Sequence, residues 1–129
     1  MKQEKYEKWI PVINIHENLS LHGLHHNNEG FRILLRDEKT CGVLRILFDS
    51  FFSYRTIDKS LILNRQNENK GLTKWPLFIV KNSRFLQWLN EESIIKQFNK
   101  EPIHYALITP NYCIDVISSS APRVEWLGD

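Results

Sequence analysis

The pattern of hydrophobic and polar residues predicts two β-hairpins, in which side chains alternate between an apolar and a polar face. In the first, residues 31–36 and 43–48 flank a polar turn at residues 37–40. Pairing Arg36 with Cys41 gives the two strands one continuous apolar face, as packing on a core requires. That face contains Phe31, Ile33, Leu35, Leu44, Ile46 and Phe48.

The same pairing gathers arginines on the opposite face of this hairpin. Arg32, Arg36 and Arg45 share that face, and Arg32 is predicted to lie directly opposite Arg45. Like charges that face each other across a strand pair are unfavourable unless an anionic group lies over them. We therefore expect acidic side chains, either of this chain or of a partner, against this face.

The second predicted hairpin consists of residues 103–108 and 112–117 around the turn sequence Thr109-Pro110-Asn111. Pairing Ile108 with Cys113 separates its residues into two faces. One face contains Tyr105, Leu107, Ile114 and Val116, and the other contains His104, Ala106, Asp115 and Ile117.

One main helix is predicted before the second hairpin. Asn82 or Ser83 is a suitable N-cap, and apolar residues recur at helical spacing over residues 85–95. Pro102 stops the helix if Asn99 has not already done so. Antiparallel hairpins with one main helix packed on them indicate an α+β fold.

The remaining segments add two strands and a loop. Residues 77–80 and 123–127 are extended in pattern, whereas residues 58–63 are consistent with a short helix. Residues 64–71 are polar throughout and end in glycine, which indicates a surface loop rather than a domain boundary.

Composition indicates one folded domain over residues 1–129. The chain is 42% hydrophobic and 25% charged, as globular proteins are. It contains no apolar run of about 18 residues that would span a membrane, and its charged first residues do not resemble a signal peptide. Cys41 and Cys113 are too few and too far apart for a disulfide framework or a thiolate metal site. We therefore expect a cytoplasmic protein without a cofactor.

His22, His25 and His26 are the first candidates for a metal site. Zinc requires several ligands that converge within about 2.1 Å of one ion. In a strand, His25 and His26 point to opposite faces, and His22 lies about 13 Å from His26. We interpret these residues as exposed histidines of an edge strand or loop, and we predict no metal site.

His104 and Asp115 are the best candidates for enzymatic chemistry. The hairpin register makes them diagonal neighbours that can share a hydrogen bond. Cys113 is on the same face, but it lies roughly 13 Å from His104, too far for that imidazole to activate its thiol. The chain also has no nucleophile elbow, phosphate loop or dinucleotide fingerprint. We therefore predict a structural His–Asp pair and no catalytic residues, with a small enzyme around this pair as a lesser alternative.

Arginines and aromatic residues together suggest a second alternative, a single-stranded nucleic-acid-binding module. The cations of this surface are Arg32, Arg36 and Arg45, followed in the chain by Phe51, Phe52, Tyr54 and Arg55. Such modules stack bases on rings while cations contact phosphates. The net charge of +2 is too small to imply nucleic acid by itself.

Trp88 and the acidic residues after it suggest a protein-binding surface. Trp88 adjoins Leu89 and precedes Glu91 and Glu92, and one helix cannot easily bury all of its apolar residues here. A partly exposed tryptophan beside acidic residues is typical of an interface hot spot. Trp126, near the end of the chain, is a second tryptophan that could be such a hot spot.

Three stretches of the chain resemble a family of small bacterial proteins that is similar to the immunity proteins of polymorphic-toxin and contact-dependent inhibition systems. The stretches are LRILFDSFFSYRTIDKS, WPLFIVKNSRFLQWLNEES and HYALITPNYCIDVISSSAPRVEWL, within a likeness that covers most of residues 6–127. The resemblance implies a bacterial toxin inhibitor that acts by protein–protein interaction. It carries no motif from which individual binding residues follow.

The resemblance and the missing catalytic motifs together predict an immunity-type protein that binds and neutralises a cognate toxin domain. We expect Trp88, Glu91 and Glu92 to contact that toxin. Inhibitors of nuclease toxins are often acidic because they cover a basic groove. With a net charge of +2, either the acids at Glu91, Glu92, Asp115 and Glu125 are locally concentrated or the target is not a basic nuclease.

Overall fold

A computed structural model describes residues 3–61, 75–92 and 101–128. These residues contain one α-helix, α1 (Arg84–Glu92), and a single 3-10 turn at Lys59–Leu61. None of the helices in these ranges combines the length and apolar character that crossing a bilayer requires. The strands are β1 (Lys5–Lys8), β2 (Leu19–Asn27), β3 (Gly30–Asp37), β4 (Val43–Phe48), β5 (Ser53–Asp58), β6 (Leu77–Lys81), β7 (Ile103–Ile108), β8 (Tyr112–Ser118) and β9 (Arg123–Trp126).

The strands form two antiparallel sheets. A five-stranded sheet has the order β1-β6-β7-β8-β5, and a four-stranded sheet has the order β2-β3-β4-β9. With α1 packed against β7, this arrangement confirms the α+β class. The sequence pattern did not predict that the two hairpins belong to different sheets.

The main core lies between the two sheets, where side chains from both form one buried cluster. In β3, β4, β7 and β8 the contributing residues alternate, because successive side chains of a strand point to opposite faces. The four-stranded sheet contributes the apolar face that was predicted for the first hairpin, and the five-stranded sheet contributes one face of the second. The central members of this core cluster are Phe31, Ile33, Leu35, Leu44, Ile46, Phe48, Leu77, Tyr105, Leu107, Ile114 and Val116.

The two hairpins differ in how well their registers were predicted. In the second, Ile108 pairs with Cys113 as predicted. In the first, the predicted pairing of Arg36 with Cys41 is wrong, because Arg36 pairs with Val43. Asp37 does not belong to the turn but ends β3, and its carboxylate accepts hydrogen bonds from the backbone N–H groups of residues 39 and 40.

The shifted register also changes which residues face the arginines. Arg32 lies opposite Leu47 and Arg45 lies opposite Leu34, so the predicted Arg32–Arg45 contact across the ladder is wrong. Both faces keep their predicted composition, because a shift of two residues preserves the alternation of a strand.

Helix α1 begins where the N-cap pattern indicates. The Ser83 hydroxyl accepts a hydrogen bond from the Leu86 N–H at 2.9 Å, which identifies Ser83 rather than Asn82 as the N-cap. Phe85 is buried against Ile117, with Leu86 and Leu89 beside it. The predictions for Ile95 and Asn99, and for the loop at 64–71, lie outside the described residues, as do the last two residues of the predicted helix at 58–63.

Candidate functional site

A buried polar network joins the start of α1 to the second hairpin. The predicted hydrogen bond between His104 and Asp115 is present, with 2.7 Å between Nε2 and Oδ1. On the other side of the ring, the Oγ of Ser83 lies 2.6 Å from Nδ1 of His104. The side chains of His104 and Asp115 have no exposed surface. The network therefore fixes α1 on the face of the five-stranded sheet that points away from the main core.

One assignment of protons satisfies the bonds of this network. Because the Ser83 Oγ accepts the Leu86 N–H, its own hydrogen is available to His104 Nδ1. An imidazole that carries its proton on Nε2 then donates to Asp115. The carboxylate of Asp115 also accepts a hydrogen bond from Arg55 Nε, at 2.9 Å from its Oδ2.

The order Ser83–His104–Asp115 is the order of groups in a nucleophilic triad, but its setting favours a structural role. A nucleophile must be presented to a substrate, with its base within hydrogen-bond reach. Here the Ser83 hydroxyl caps α1 and the residue is only 7% exposed, while the other two side chains are fully buried. As the chain is folded, these groups hold a helix on a sheet.

Arg55 connects this network to an open groove. Its guanidinium carbon lies 4.1 Å from the centroid of the Phe85 ring, while its Nε–H is bound to Asp115. The groove lies between α1 and β5 and has a volume of about 640 Å³. Its lining consists of Glu4, Ser53, Tyr54, Arg55, Arg84, Phe85 and Trp88.

Of the three residues predicted to bind a partner, Trp88 lines this groove. The residue is 52% exposed, and its ring stacks on Phe85 with 6.1 Å between centroids and an interplanar angle of 17°. Glu91 and Glu92 follow on α1 and are both exposed. Arg84, Trp88 and Glu91 are three or four residues apart, so they lie along the same side of the helix.

The other three tryptophans have positions that serve the fold. The indole N–H of Trp75 donates to the backbone oxygen of Trp9, and that of Trp126 donates to the backbone oxygen of Ile13. Trp9, Trp75 and Trp126 are all half-buried. Trp126, the second tryptophan considered for a hot spot, thus packs against the main core.

The arginines of the first hairpin lie on the outer face of the four-stranded sheet, and two of them are paired with acids. Arg32 binds Glu29 at 2.6 Å, and Arg45 binds Glu125 on β9. Arg36 is exposed, and a hydrogen bond with the Cys41 side chain raises the pKa of its guanidinium. The acids expected against this face thus come from the chain itself for two of its three arginines.

The aromatic residues considered with these arginines lie elsewhere. Phe51 and Tyr54 contact the core-facing ring of Phe31, with centroid separations of 4.8 and 4.4 Å. Phe52 packs with the cluster around Phe85. These rings therefore do not lie on the outer face that carries Arg32, Arg36 and Arg45. Arg55, the fourth cation of this alternative, lies instead over the ring of Phe85, with its guanidinium carbon 4.1 Å from the ring centroid.

The histidines lie on β2, which forms an edge of the four-stranded sheet. The strand interpretation of His25 and His26 is confirmed, since His25 pairs with Arg32 on the outer face and His26 contacts Phe31 on the inner side. A bulge between Leu21 and Gly23 contains His22. Among the described residues, no three histidine, cysteine or acidic side chains are placed to hold a metal ion.

The acids considered for a toxin-binding patch are not all in one place. Asp115 is buried in the network, and Glu125 lies on β9 of the other sheet. Only Glu91 and Glu92 remain together on α1 beside the groove. The sequence also did not indicate Arg55, Arg84 and Phe85 as neighbours of Trp88, because no pairing of β5 with β8 was predicted.

Comparison of the chain with protein-family models, with curated proteins and with solved structures finds no match. The assignment of function therefore depends on the geometry of the groove and on the network beneath it.

Proposed function

We propose that this protein is an immunity-type protein that binds a cognate bacterial toxin domain in the cytoplasm and blocks its active site or substrate entry. The contact surface is the side of α1 that carries Trp88, Glu91 and Glu92, together with the adjoining groove. The observation that carries the proposal is the position of Trp88 at this groove with more than half of the residue's surface exposed.

A tryptophan in this position is suited to bind another protein. Trp, Tyr and Arg dominate the binding energy of protein interfaces when they fill well-packed pockets. Trp88 stacks on Phe85, which is only 5% exposed and packs on Ile117. A ring supported in this way loses little conformational freedom on binding, which favours affinity.

The charges on either side of Trp88 differ in sign, so they can fix the orientation of a bound partner. Arg84 lies one turn before Trp88, and Glu91 and Glu92 lie one turn after it. A toxin surface with a basic group opposite the two glutamates would therefore be recognised in one orientation, since charge complementarity fixes register more than it raises affinity.

The purified chain is titrated with the toxin domain encoded by the adjacent gene, and calorimetry measures the Kd of the complex. In a second experiment, the survival of cells that express the toxin measures its neutralisation. We expect Trp88→Ala to raise Kd by roughly 30-fold, as for a hot spot worth about 2 kcal/mol. Reversal of charge at Glu91 and Glu92 should raise Kd less and mostly at low salt.

Tyr112→Ala is the matched control, because Tyr112 is an exposed aromatic residue at the far end of β8. It lies five residues along β8 from Ile117, about 16 Å from the residue on which α1 packs. Equal loss of binding in both variants, or wild-type binding by Trp88→Ala, would show that another surface contacts the toxin. A toxin domain that neither binds nor is neutralised would contradict the function itself.

A further inference from the structure

A second pocket, with a volume of about 340 Å³, lies beside the turn that joins β3 to β4. Its lining consists of Asn14, His16, Asp37, Thr40 and Trp126, and none of these described residues lines the groove beside α1. We propose that this pocket binds a primary ammonium group on an alkyl chain, such as a lysine side chain of another protein or a free alkylamine. The inference goes beyond the proposed function and does not depend on it.

The carboxylate of Asp37 forms the floor of this pocket, and one of its oxygens lacks a partner. Asp37 is only 1% exposed, whereas the lining residues Asn14, His16 and Thr40 are exposed and form the rim. The Oδ1 atom of Asp37 accepts hydrogen bonds from the backbone N–H groups of residues 39 and 40, at 2.8 and 3.3 Å. Its Oδ2 atom is buried and has no hydrogen-bond partner among the described residues.

No neighbouring cation pairs with this carboxylate. Asp37 belongs to none of the ion pairs between described residues. The two basic residues nearest to it in sequence lie elsewhere, since Arg36 is exposed with a hydrogen bond to the Cys41 side chain, and Lys39 is exposed. A buried carboxylate is costly to leave unpaired, so the pocket favours a cationic ligand.

The wall and the rim of the pocket suit an ammonium group. Trp126 is half-buried, and its indole N–H donates to the backbone oxygen of Ile13 at 2.9 Å, which joins this ring to the segment that carries Asn14. Among aromatic rings, that of tryptophan attracts cations most strongly. An ammonium that reaches Asp37 Oδ2 has to displace an exposed rim side chain, and its two other N–H groups can then donate to acceptors of the rim.

The acceptors fit an ammonium better than a guanidinium or a metal ion. A guanidinium binds a carboxylate best through both oxygens, and Oδ1 of Asp37 is already engaged by the turn. Zinc needs several nitrogen, sulfur or carboxylate ligands, and the described residues contain no such group of three. Calcium takes about six to eight oxygen ligands, whereas this lining has one carboxylate.

The test is an NMR titration of the complete ¹⁵N-labelled chain with n-butylammonium near pH 7, where this probe is a cation. We expect saturable shifts of the Trp126 indole N–H and of the backbone N–H groups of Lys39 and Thr40. The neutral probe 1-butanol has the same length and should bind about tenfold more weakly, because it lacks the charge-assisted hydrogen bond. n-Butylguanidinium and the chlorides of magnesium, calcium and zinc are titrated in parallel.

A further probe, Nα-acetyl-lysine methylamide, carries the same ammonium on a peptide backbone. Tighter binding of this probe than of n-butylammonium would support the pocket as a site for a lysine side chain of another protein. Tighter binding of n-butylammonium would support it as a site for a free amine.

Asp37→Asn is the variant that tests the floor of the pocket. It keeps one side-chain oxygen for the hydrogen bonds of the turn but replaces the unpaired oxygen with an NH2 group. It should therefore abolish the preference for the ammonium over the alcohol. Asp49→Asn is the matched control, because it removes an exposed carboxylate just after the far end of β4, about 20 Å away, and should leave the preference unchanged.

Asn14→Gly keeps the test independent of any effect of Asp37→Asn on folding. It removes an exposed rim side chain at a backbone φ of 65°, which glycine adopts readily. It should reduce the preference for the ammonium by about threefold, as for the loss of one hydrogen bond.

Equal binding of the ammonium and the alcohol would overturn the inference, as would the absence of saturable shifts at these three N–H groups. An unchanged preference in both Asp37→Asn and Asn14→Gly would also overturn it. Tighter binding of the guanidinium, or of one of the metal ions, at the same resonances would overturn the ammonium assignment.

Discussion

Arginine–carboxylate pairs occur in two regions of this molecule that differ mainly in burial. Beneath α1, Arg55 binds an Asp115 side chain that has no exposed surface. On the outer side of the four-stranded sheet, Arg123 binds Asp49 with 69% and 73% of the two side chains exposed. Loss of one partner leaves an uncompensated buried charge in the first region, whereas water replaces the partner in the second.

The buried region also has a consequence for binding. The residues that anchor α1 are in direct contact with groove residues, since Asp115 binds Arg55 and Phe85 stacks under Trp88. A change in the network is therefore expected to displace the groove residues as well as to lower stability. On the outer side, Arg32 and Arg123 bind the exposed carboxylates of Glu29 and Asp49, so changes there should stay local.

The largest expected effect is that of Asp115→Asn. This substitution keeps the shape of the side chain but removes the charge that faces Arg55. It also replaces one of the two acceptor oxygens with an NH2 donor, so Arg55 Nε–H and His104 Nε2–H can no longer both donate to residue 115. Because Arg55 is partly exposed, we expect the free energy of unfolding to fall by about 3 kcal/mol, the lower end for broken buried pairs. Urea denaturation followed by circular dichroism measures it.

Asp49→Asn is the control for this substitution, because it removes the carboxylate of an exposed pair. A loss of less than about 1 kcal/mol for Asp115→Asn, similar to that of the control, would mean that burial does not separate the two regions.

The second largest effect is expected for Ser83→Ala. The serine hydroxyl caps α1 at Leu86 and contacts His104 Nδ1, so its removal leaves two polar groups without this partner. We expect a loss of about 1–2 kcal/mol in the same denaturation experiment. Ser20→Ala, whose hydroxyl reaches the exposed carboxylate of Glu38, should change stability by less than about 0.5 kcal/mol. Equal effects of the two variants would contradict the role of Ser83.

The two hairpins show which parts of the fold a sequence pattern determines. Around Thr109-Pro110-Asn111 the turn is short, and Thr109 Oγ1 accepts a hydrogen bond from the backbone N–H of Tyr112, so face and register were both predictable. In the first hairpin the alternation determined the faces only. A shift of two residues conserves alternation, and the hydrogen bonds by which Asp37 ends β3 decided the register.

The candidate site was predictable to the same limited extent. The contact of His104 with Asp115 followed from the register of one hairpin, and N-capping by Ser83 followed from its helix. The contact of Arg55 with Asp115 joins residues 60 positions apart. It depends on the pairing of β5 with β8, and local hydrophobic periodicity contains no information about such pairings.

A smaller effect is expected for Arg123→Gln on the outer side of the four-stranded sheet. Its ion pair with Asp49 spans 3.1 Å between highly exposed side chains. We expect the free energy of unfolding to change by less than about 0.5 kcal/mol at physiological salt, because water and ions screen such pairs. A double-mutant cycle with Asp49→Asn measures the coupling energy between Arg123 and Asp49. A coupling energy above about 1 kcal/mol would contradict the expected difference between this exposed pair and the buried Arg55–Asp115 pair.

The smallest expected effect is a change in the pKa of Asp58, an exposed carboxylate that contrasts with the buried Asp115. The backbone N–H of Ser60 at 3.0 Å, and then its hydroxyl at 2.8 Å, lower the pKa of Asp58 below its ordinary value of 3.8. Because the pKa is lower in the folded state, the stabilisation is present above pH 3.8 and is lost as the pH falls through the folded value.

Ser60→Ala should raise the pKa of Asp58 only part of the way, since the backbone bond is the larger cause and survives the substitution. Ser60→Thr, which keeps a hydroxyl, should retain the low value. The midpoint is measured from the pH dependence of the Asp58 Cγ chemical shift. A wild-type midpoint at or above 3.8, or no change in Ser60→Ala, would contradict the assigned hydrogen bonds. Unlike Asp115, this carboxylate remains in water, so its hydrogen bonds should change its own titration without loosening α1.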